Sequence, residues 1–252
     1  MLLASLVACG APDYSPVREW AVAASLGTDY RPATVGTEAP PSERADAMLA
    51  IQEVLVTYFA ALAKLADDGV LPFMENPFEA QTERAGRISP ESAQAIRDLG
   101  ARMRHATRTN YQAPQLRDAI TESDPYIQSL IGHLALLVTE PPAPPPAVAP
   151  ASPPPRATRR RDAPRDAELR QALADVTALR ERDAAVQADA RRNYAALLSQ
   201  VAEGHALLKD RTRHLSQLET ARLIRASEMR LRRASALLPR AAPPATSISP
   251  LG

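Results

Sequence analysis

Residues 48–66 read MLAIQEVLVTYFAALAKLA, and this stretch decides the fold. Its apolar side chains recur at alternating intervals of three and four residues, which is the spacing of one helix face. The average period of about 3.5 residues is typical of helices that pack side by side along a seam. We therefore predict a core helix that begins after Ser42 as its N-cap and ends at Gly69. The seam consists of Met48, Ile51, Leu55, Tyr58, Leu62 and Leu65, flanked by Val54, Phe59 and Ala66.

The composition of the 252-residue chain favours helices over sheets. Ala, Leu and Arg dominate and lose little free energy on entering a helix, whereas the β-branched and aromatic residues that suit strands are scarce. Much of the 45% apolar content is Ala, so the core should be thin and built on Leu. We predict an all-α fold, in which a helical bundle and a long helical hairpin are joined by a proline-rich disordered spacer.

Helix-start signals and proline positions divide the bundle, which we place at residues 42–139. Asn76-Pro77 and Ser89-Pro90 each combine a capping side chain with a proline that suits the first helical turn. A further helix opens around Pro114. Asp124-Pro125 should break or kink this helix, because proline lacks an N–H and disfavours helix in the preceding residue.

A Pro/Arg-rich linker follows at residues 140–165. Nine of the residues from 141 to 155 are proline, so we expect an extended spacer that reaches about 45 Å at about 3.1 Å per residue. A docking ligand for a proline-recognising domain is the other interpretation of this composition. At the carboxyl terminus, residues 240–252 are predicted to be a disordered tail.

The hairpin is placed at residues 166–239. An apolar stripe from Leu169 to Leu208 predicts its long first helix, and Ser216 to Glu219 has the pattern of a capping box that opens the second. Neither helix can bury its stripe alone. The two must therefore pack on the first bundle as one composite bundle, associate with a second copy or bind a partner. The second helix should cover Leu218, Leu223, Ile224 and Leu231.

Charge divides the chain into two halves, although the net charge is only +1. Residues 1–155 carry a net charge of −7, and residues 156–252 carry one of +8. This asymmetry indicates either an acidic partner for the basic half or attraction between the two halves of one molecule. The near cancellation favours the composite bundle.

The amino terminus combines an apolar run with a single cysteine. The run, Leu2 to Ala8, lies directly before Cys9, the only cysteine of the chain, and Leu6-Val7-Ala8-Cys9 resembles the lipobox of bacterial lipoproteins. The resemblance implies cleavage between Ala8 and Cys9 and attachment of lipid, palmitate included, to the Cys9 thiol. Because no Lys or Arg precedes the run, we expect the true start codon to lie upstream.

This resemblance implies a location in the bacterial cell envelope. Residues 1–8 are then a truncated signal peptide, and residues 9–41 are a tether with a short helix near Val17–Leu26. Gly10 after the lipidated cysteine implies the outer membrane, on the side that faces the periplasm. No stretch is expected to supply the roughly 20 apolar residues of a membrane-spanning helix. An unmodified cysteine in a cytosolic chain is the alternative.

No pattern of residues predicts a catalytic or metal site, so we expect neither an enzyme nor a cofactor. No G-x-S-x-G nucleophile elbow occurs, and the few glycines form no phosphate-binding loop. The histidines lack a ligand-spaced partner, and the one within the apolar run LIGHLALL should be a hydrogen-bonded core residue. The four are His105, His133, His205 and His214.

Two arginine clusters form a candidate contact surface, one beside the linker and one along a face of the last helix. Arginine can contact nucleic-acid phosphates, anionic lipid or the acidic half of the chain. The lack of interleaved aromatic residues disfavours nucleic acid. The residues are Arg159, Arg160, Arg161, Arg222, Arg225, Arg232 and Arg233.

These patterns together predict a non-enzymatic, lipid-anchored envelope protein that acts as a helical interaction or scaffold module. Its expected partners are the membrane, through the lipid on Cys9, an unidentified envelope protein and a second copy of itself. The alternative is a cytosolic coiled-coil adaptor or nucleic-acid-binding protein that uses its basic C-terminal half.

Overall fold

The computed structural model describes residues 12–30, 42–67, 69–108, 112–140 and 163–239. Over these ranges the protein contains seven α-helices, one short 3₁₀ helix at Thr212–His214 and no strand, which confirms the all-α prediction. The helices are α1 (Ser15–Thr28), α2 (Glu43–Asp67), α3 (Glu79–Gly86), α4 (Pro90–Arg108), α5 (Gln112–Thr139), α6 (Ala163–Asp210) and α7 (Leu218–Ala236).

Helix α2 lies at the centre of the fold and packs against α1, α3 and α5. Its two predicted boundaries are confirmed. The Ser42 hydroxyl accepts a hydrogen bond from the Ala45 N–H at 3.1 Å, and Gly69 follows the helix with a φ of 71°, which glycine adopts without strain. The predicted seam is also buried, apart from the partly covered Met48. Its buried members are Ile51, Leu55, Tyr58, Leu62 and Leu65.

By length and composition, α2 is the one described helix that could cross a membrane. We expected no such segment, because no unbroken run of about 20 apolar residues occurs in the sequence. Gln52, Glu53 and Lys64 interrupt this stretch, but its Ala, Leu and Val residues keep the mean hydropathy high. In the structure 61% of the apolar window is buried inside the bundle. The core position of α2 is therefore sufficient reason for its apolar composition.

Of the two predicted start signals at Asn76-Pro77 and Ser89-Pro90, only the second marks the observed start of a helix. The Ser89 hydroxyl caps α4 as predicted and accepts a hydrogen bond from the Ser92 N–H at 3.0 Å. The Asn76 carboxamide instead accepts from the Phe78 N–H at 2.9 Å and holds a turn, so that α3 begins two residues later than Pro77.

The predicted capping box before α7 is wrong. The N-cap residue is Gln217, and no side chain makes the cap hydrogen bond. The Gln217 N–H instead donates to the His214 carbonyl at 2.9 Å, so that backbone turns connect the 3₁₀ helix directly to α7. Buried Leu215 anchors this connection and leaves Ser216 exposed in the turn.

Helix α5 continues through Asp124-Pro125, so of the predicted break or kink the break is wrong. Pro125 is exposed, whereas Asp124 is buried and faces α6. Helix α5 packs against α2, α4 and α6 along its length. These contacts offset the roughly 3 kcal/mol that a proline costs inside a helix.

A single buried apolar cluster joins helices from the two halves of the chain. It includes Trp20 of α1, Phe59 of α2 and Leu197 of α6, and the Trp20 and Phe59 rings meet edge to face at 5.7 Å between centroids. Gly204 of α6 lies beneath the indole. A Cβ atom added there would lie 2.5 Å from the Trp20 Nε1 atom, so only glycine allows this approach.

Fewer apolar residues of α7 are buried than its sequence predicts. Ile224 and Leu231 are buried, as expected, against the common core. Leu218 remains 64% exposed and Leu223 37% exposed. These two side chains lie on the side of α7 that its contacts with α1 and α6 leave uncovered.

Candidate functional site

Four polar side chains from three helices form one hydrogen-bonded chain, and we call them the tetrad: Tyr58, Asp124 and His205, which are buried, and Lys209, which lies at the surface. The Tyr58 hydroxyl lies 2.8 Å from His205 Nε2, and His205 Nδ1 lies 3.0 Å from Asp124 Oδ1. The Lys209 ammonium donates to Asp124 Oδ2 at 2.7 Å. The tetrad therefore ties α2 to α6 and α6 to α5.

Burial and hydrogen bonding determine the charges of the tetrad. The hydrogen bond from His205, followed by that from Lys209, holds the pKa of Asp124 well below its usual range, so this carboxylate is ionised. Complete burial lowers the pKa of His205 despite the neighbouring carboxylate. Neutral His205 therefore donates its Nδ1–H to Asp124 and accepts the Tyr58 O–H at Nε2. Burial raises the pKa of Tyr58, which keeps its proton at neutral pH.

The arrangement Tyr–His–Asp has the order of a proton relay, but its three members are buried. Tyr58 and His205 are 0% exposed, and Asp124 is 6% exposed. A relay acts on a substrate only if its terminal group reaches that substrate within hydrogen-bond distance. The geometry of the tetrad is that of a cross-link between core helices.

A second buried polar cluster secures the end of α1. The Gln52 carboxamide donates to the Thr28 and Tyr30 carbonyl oxygens, each at 2.6 Å. The Tyr194 hydroxyl of α6 donates to the same Thr28 oxygen at 2.7 Å. These bonds satisfy carbonyl groups that the end of a helix leaves without partners.

Within the described ranges, no group of three or more His, Cys, Asp or Glu side chains is arranged to hold a metal ion. A small cleft of about 210 Å³ lies between α4 and α5. Its charged side chains Arg102 and Glu122 already pair with each other, and the carboxamide of Gln115 in its wall has no partner among the described residues. His105 and Asp118 also line the cleft.

The structure places the arginines of α7 at the surface. Arg222, Arg225, Arg232 and Arg233 are exposed, and Arg232 pairs with Glu228 one turn earlier at 2.6 Å. Arg225 lies close enough to Asp13 to attract that carboxylate electrostatically. The predicted residues Ala8, Cys9, Arg159, Arg160 and Arg161 lie outside the described residues.

The amino-terminal half of α6 extends away from the bundle, and we call its residues 168–189 the arm. Every residue of the arm is exposed except Asp183 and Ala188, which are partly covered. From Ala190 onward the same helix enters the core. The aliphatic residues of the arm remain 45–60% exposed; they are Leu169, Leu173, Val176, Leu179 and Val186.

Sequence reasoning missed the tetrad because its members are far apart in the chain. His205 and Asp124 are separated by 81 residues, and Asp124 was interpreted as part of a helix break. His133, predicted as a hydrogen-bonded core residue, is half-buried and lies 2.9 Å from the Ser92 hydroxyl. No short motif marks either pairing.

No protein-family model, curated protein or solved structure matches this chain.

Proposed function

We propose that the protein is a non-enzymatic, lipid-anchored module of the bacterial cell envelope that presents a helical arm to a protein partner. The single observation that carries the proposal is the arm, which exposes five large aliphatic side chains along about 26 Å of helix. Contiguous exposed apolar surface of this kind typically marks an interaction site.

The anchor is supported by Leu6-Val7-Ala8-Cys9, which resembles a bacterial lipobox. Lipid on Cys9 would hold the module at the outer membrane, and residues 1–8 would be removed. In this proposal residues 140–165 act as a spacer between the first bundle and the helical hairpin. Several acyl chains on one cysteine give a durable attachment, whereas a single chain would not.

A non-enzymatic role is supported by where the perturbed titratable groups lie. Three side chains with clearly shifted pKa values, Tyr58, Asp124 and His205, lie together in the core. Catalytic groups with shifted pKa values usually line an open cleft. Here the shifts stem from burial and hydrogen bonding between three packed helices.

Metabolic labelling tests the anchor. Labelled palmitate should enter the native protein in bacterial cells, and Cys9→Ala should abolish the label. Unlabelled native protein with a free Cys9 thiol would overturn the anchor.

Photo-crosslinking in intact cells tests the arm. A photo-reactive residue in place of Leu179, on the apolar stripe, should form protein adducts. The same residue in place of Ala174, on the opposite side of the arm, is the matched control and should form far fewer. Equal yields at the two positions would contradict the arm as the contact surface.

A further inference from the structure

The arm carries an apolar stripe with the period of a coiled coil, interrupted by Asp183. The first row consists of four residues spaced seven apart: Leu169, Val176, Asp183 and Ala190. The second row, three residues further on, is Ala172, Leu179 and Val186. In coiled-coil notation these rows are the a and d positions, at which helices interdigitate.

An isolated helix with this surface is incomplete. Most of the stability of a helix in a protein comes from packing of its apolar face, because propensity alone contributes little. The bundle buries α6 only from Ala190 onward, and the large aliphatic side chains of the arm remain exposed. A second helix along the stripe would supply that support.

We propose that this second helix is the arm of another copy of the chain, in an antiparallel coiled coil. In the register that opposes a and d positions, Leu169 lies against Val186 of the second copy and Val176 lies against its Leu179. Each contact occurs twice because the pair is two-fold symmetric. The proposal deepens the proposed function, on which it rests, by identifying the partner of the arm.

Asp183 decides between the antiparallel and parallel arrangements. In a parallel, in-register pair, Asp183 would face its own copy in the apolar seam, and two like charges would be buried together. In the antiparallel register it faces Ala172 of the second copy, whose small side chain leaves the carboxylate access to water. The antiparallel pair therefore avoids the costliest contact in the stripe.

Flanking charges also suit the antiparallel register. Asp175 lies beside Arg182 of the second copy, and symmetry makes two such pairs. Glu168 lies beside Asp189 of the second copy at the ends of the seam, where their charges are alike. Asp189 is, however, already paired with Arg192 on its own helix, which offsets its charge.

The size of the arm is adequate for a specific but weak dimer. In this register the paired rows run from position 169 to position 186, about 26 Å, and would remove on the order of 1,000 Å² from water, which is the lower limit for a specific interface. The dimer should therefore dissociate on dilution. Its two bundles would lie at opposite ends of the seam.

The first test measures the dissociation constant of the full chain, purified in mild detergent, by sedimentation equilibrium. The native chain should dimerise, and Leu179→Glu should raise the dissociation constant about tenfold or more, because a charge would enter the apolar seam. Ala174→Glu, on the opposite face, is the matched control and should leave it unchanged. Leu179 is 58% exposed in the single chain, so neither substitution disturbs the bundle core.

The second test exchanges the flanking charges. Asp175→Arg and Arg182→Asp should each weaken the dimer several-fold, and the double variant D175R/R182D should restore it. In a parallel dimer Asp175 would face Arg180 of the second copy instead, and the double variant would not recover. Circular dichroism confirms that each variant keeps its helices.

Three results would overturn the inference: a native chain that stays monomeric at about 100 µM, a dimer unaffected by Leu179→Glu, or a double variant that remains weak. These failures are distinguishable from failure of the proposed function. A monomeric chain whose arm still crosslinks to a different envelope protein leaves the proposed function intact and excludes self-association. Loss of the palmitate label would overturn the anchor without affecting the dimer.

Discussion

At the scale of single residues, the three buried members of the tetrad show how polar groups are accommodated in the core of this protein. His205 is fully buried and neutral, and each ring nitrogen has a partner at hydrogen-bond distance. Buried polar groups of this kind stabilise a fold only while every partner is present, because an unpaired one keeps its full desolvation cost.

Removal of the Tyr58 hydroxyl should therefore destabilise the protein. Tyr58→Phe leaves His205 Nε2 buried without a donor, and we expect the free energy of unfolding to fall by about 1–3 kcal/mol, as measured in urea. Tyr30→Phe is the matched control, because the Tyr30 hydroxyl is buried without a partner among the described residues. That change should be neutral or slightly stabilising; equal losses in both variants would contradict the role of the Tyr58–His205 bond.

Stability should also fall in mild acid. Because burial lowers the pKa of His205, the unfolded chain binds a proton below about pH 6.5 that the folded chain resists. The pKa of Asp124 is lowered as well, so its stabilisation is present at neutral pH and is lost as the pH falls below about 4.

Urea unfolding between pH 7 and pH 5 measures the contribution of His205. The free energy of unfolding should fall by up to about 1.4 kcal/mol per pH unit over this window. His205→Gln should reduce this slope, whereas His105→Gln, at an exposed position of α4, should leave it unchanged. A flat profile for the native protein would show that His205 is protonated in the fold.

At the scale of helices, close approach of backbones decides where glycine is required. Gly204 of α6 lies under the Trp20 indole, and Gly132 of α5 has no atom within 4 Å of the place a Cβ would take. The same substitution should therefore have opposite effects at the two positions. The difference arises from tertiary contact, since both glycines are inside helices.

Gly204→Ala should lower the free energy of unfolding by about 1–3 kcal/mol, because the new Cβ displaces the indole from the core. Gly132→Ala should raise it by up to about 1 kcal/mol, since alanine is the better helix former. Thermal and urea unfolding of the two variants measure the difference. Stabilisation by both substitutions would show that Trp20 does not pack on Gly204.

At the scale of the whole molecule, the helices of the two halves of the chain share one common core. Tyr194, Leu197 and Leu208 of α6 are buried with the residues of α1, α2 and α5. The acidic and basic halves thus meet through apolar surface and through the hydrogen bonds of Asp124 with His205 and Lys209. Charge complementarity suggested that the halves associate, but burial supplies most of the contact.

A chain cut between these halves should therefore stay together. A protease site inserted between Ala151 and Ser152 can be cleaved after folding, and we expect the two pieces to co-elute in size-exclusion chromatography with unchanged helix content. Leu197→Glu places a charge at a fully buried position and should release the pieces after cleavage. Separation of the native pieces without denaturant would contradict a common core.

The sequence by itself determined the all-α class, the seam of α2 and the boundaries at Ser42, Gly69 and Ser89. These features depend on residues within a few positions of one another, where side-chain spacing and capping act locally. The break expected at Pro125 shows the limit of such reasoning, because tertiary contacts on both sides of α5 outweigh the local preference against helix.

Only the tertiary structure decided which helix faces are covered. The pairing of His205 with Asp124, the fit of Gly204 beneath Trp20 and the exposure of the arm all depend on residues distant in the chain. The stripe of α6 runs through both its free half and its buried half. The period of the stripe predicts a helix that packs against another helix. Only the tertiary structure shows which half of α6 is packed against helices of the same chain and which half is exposed.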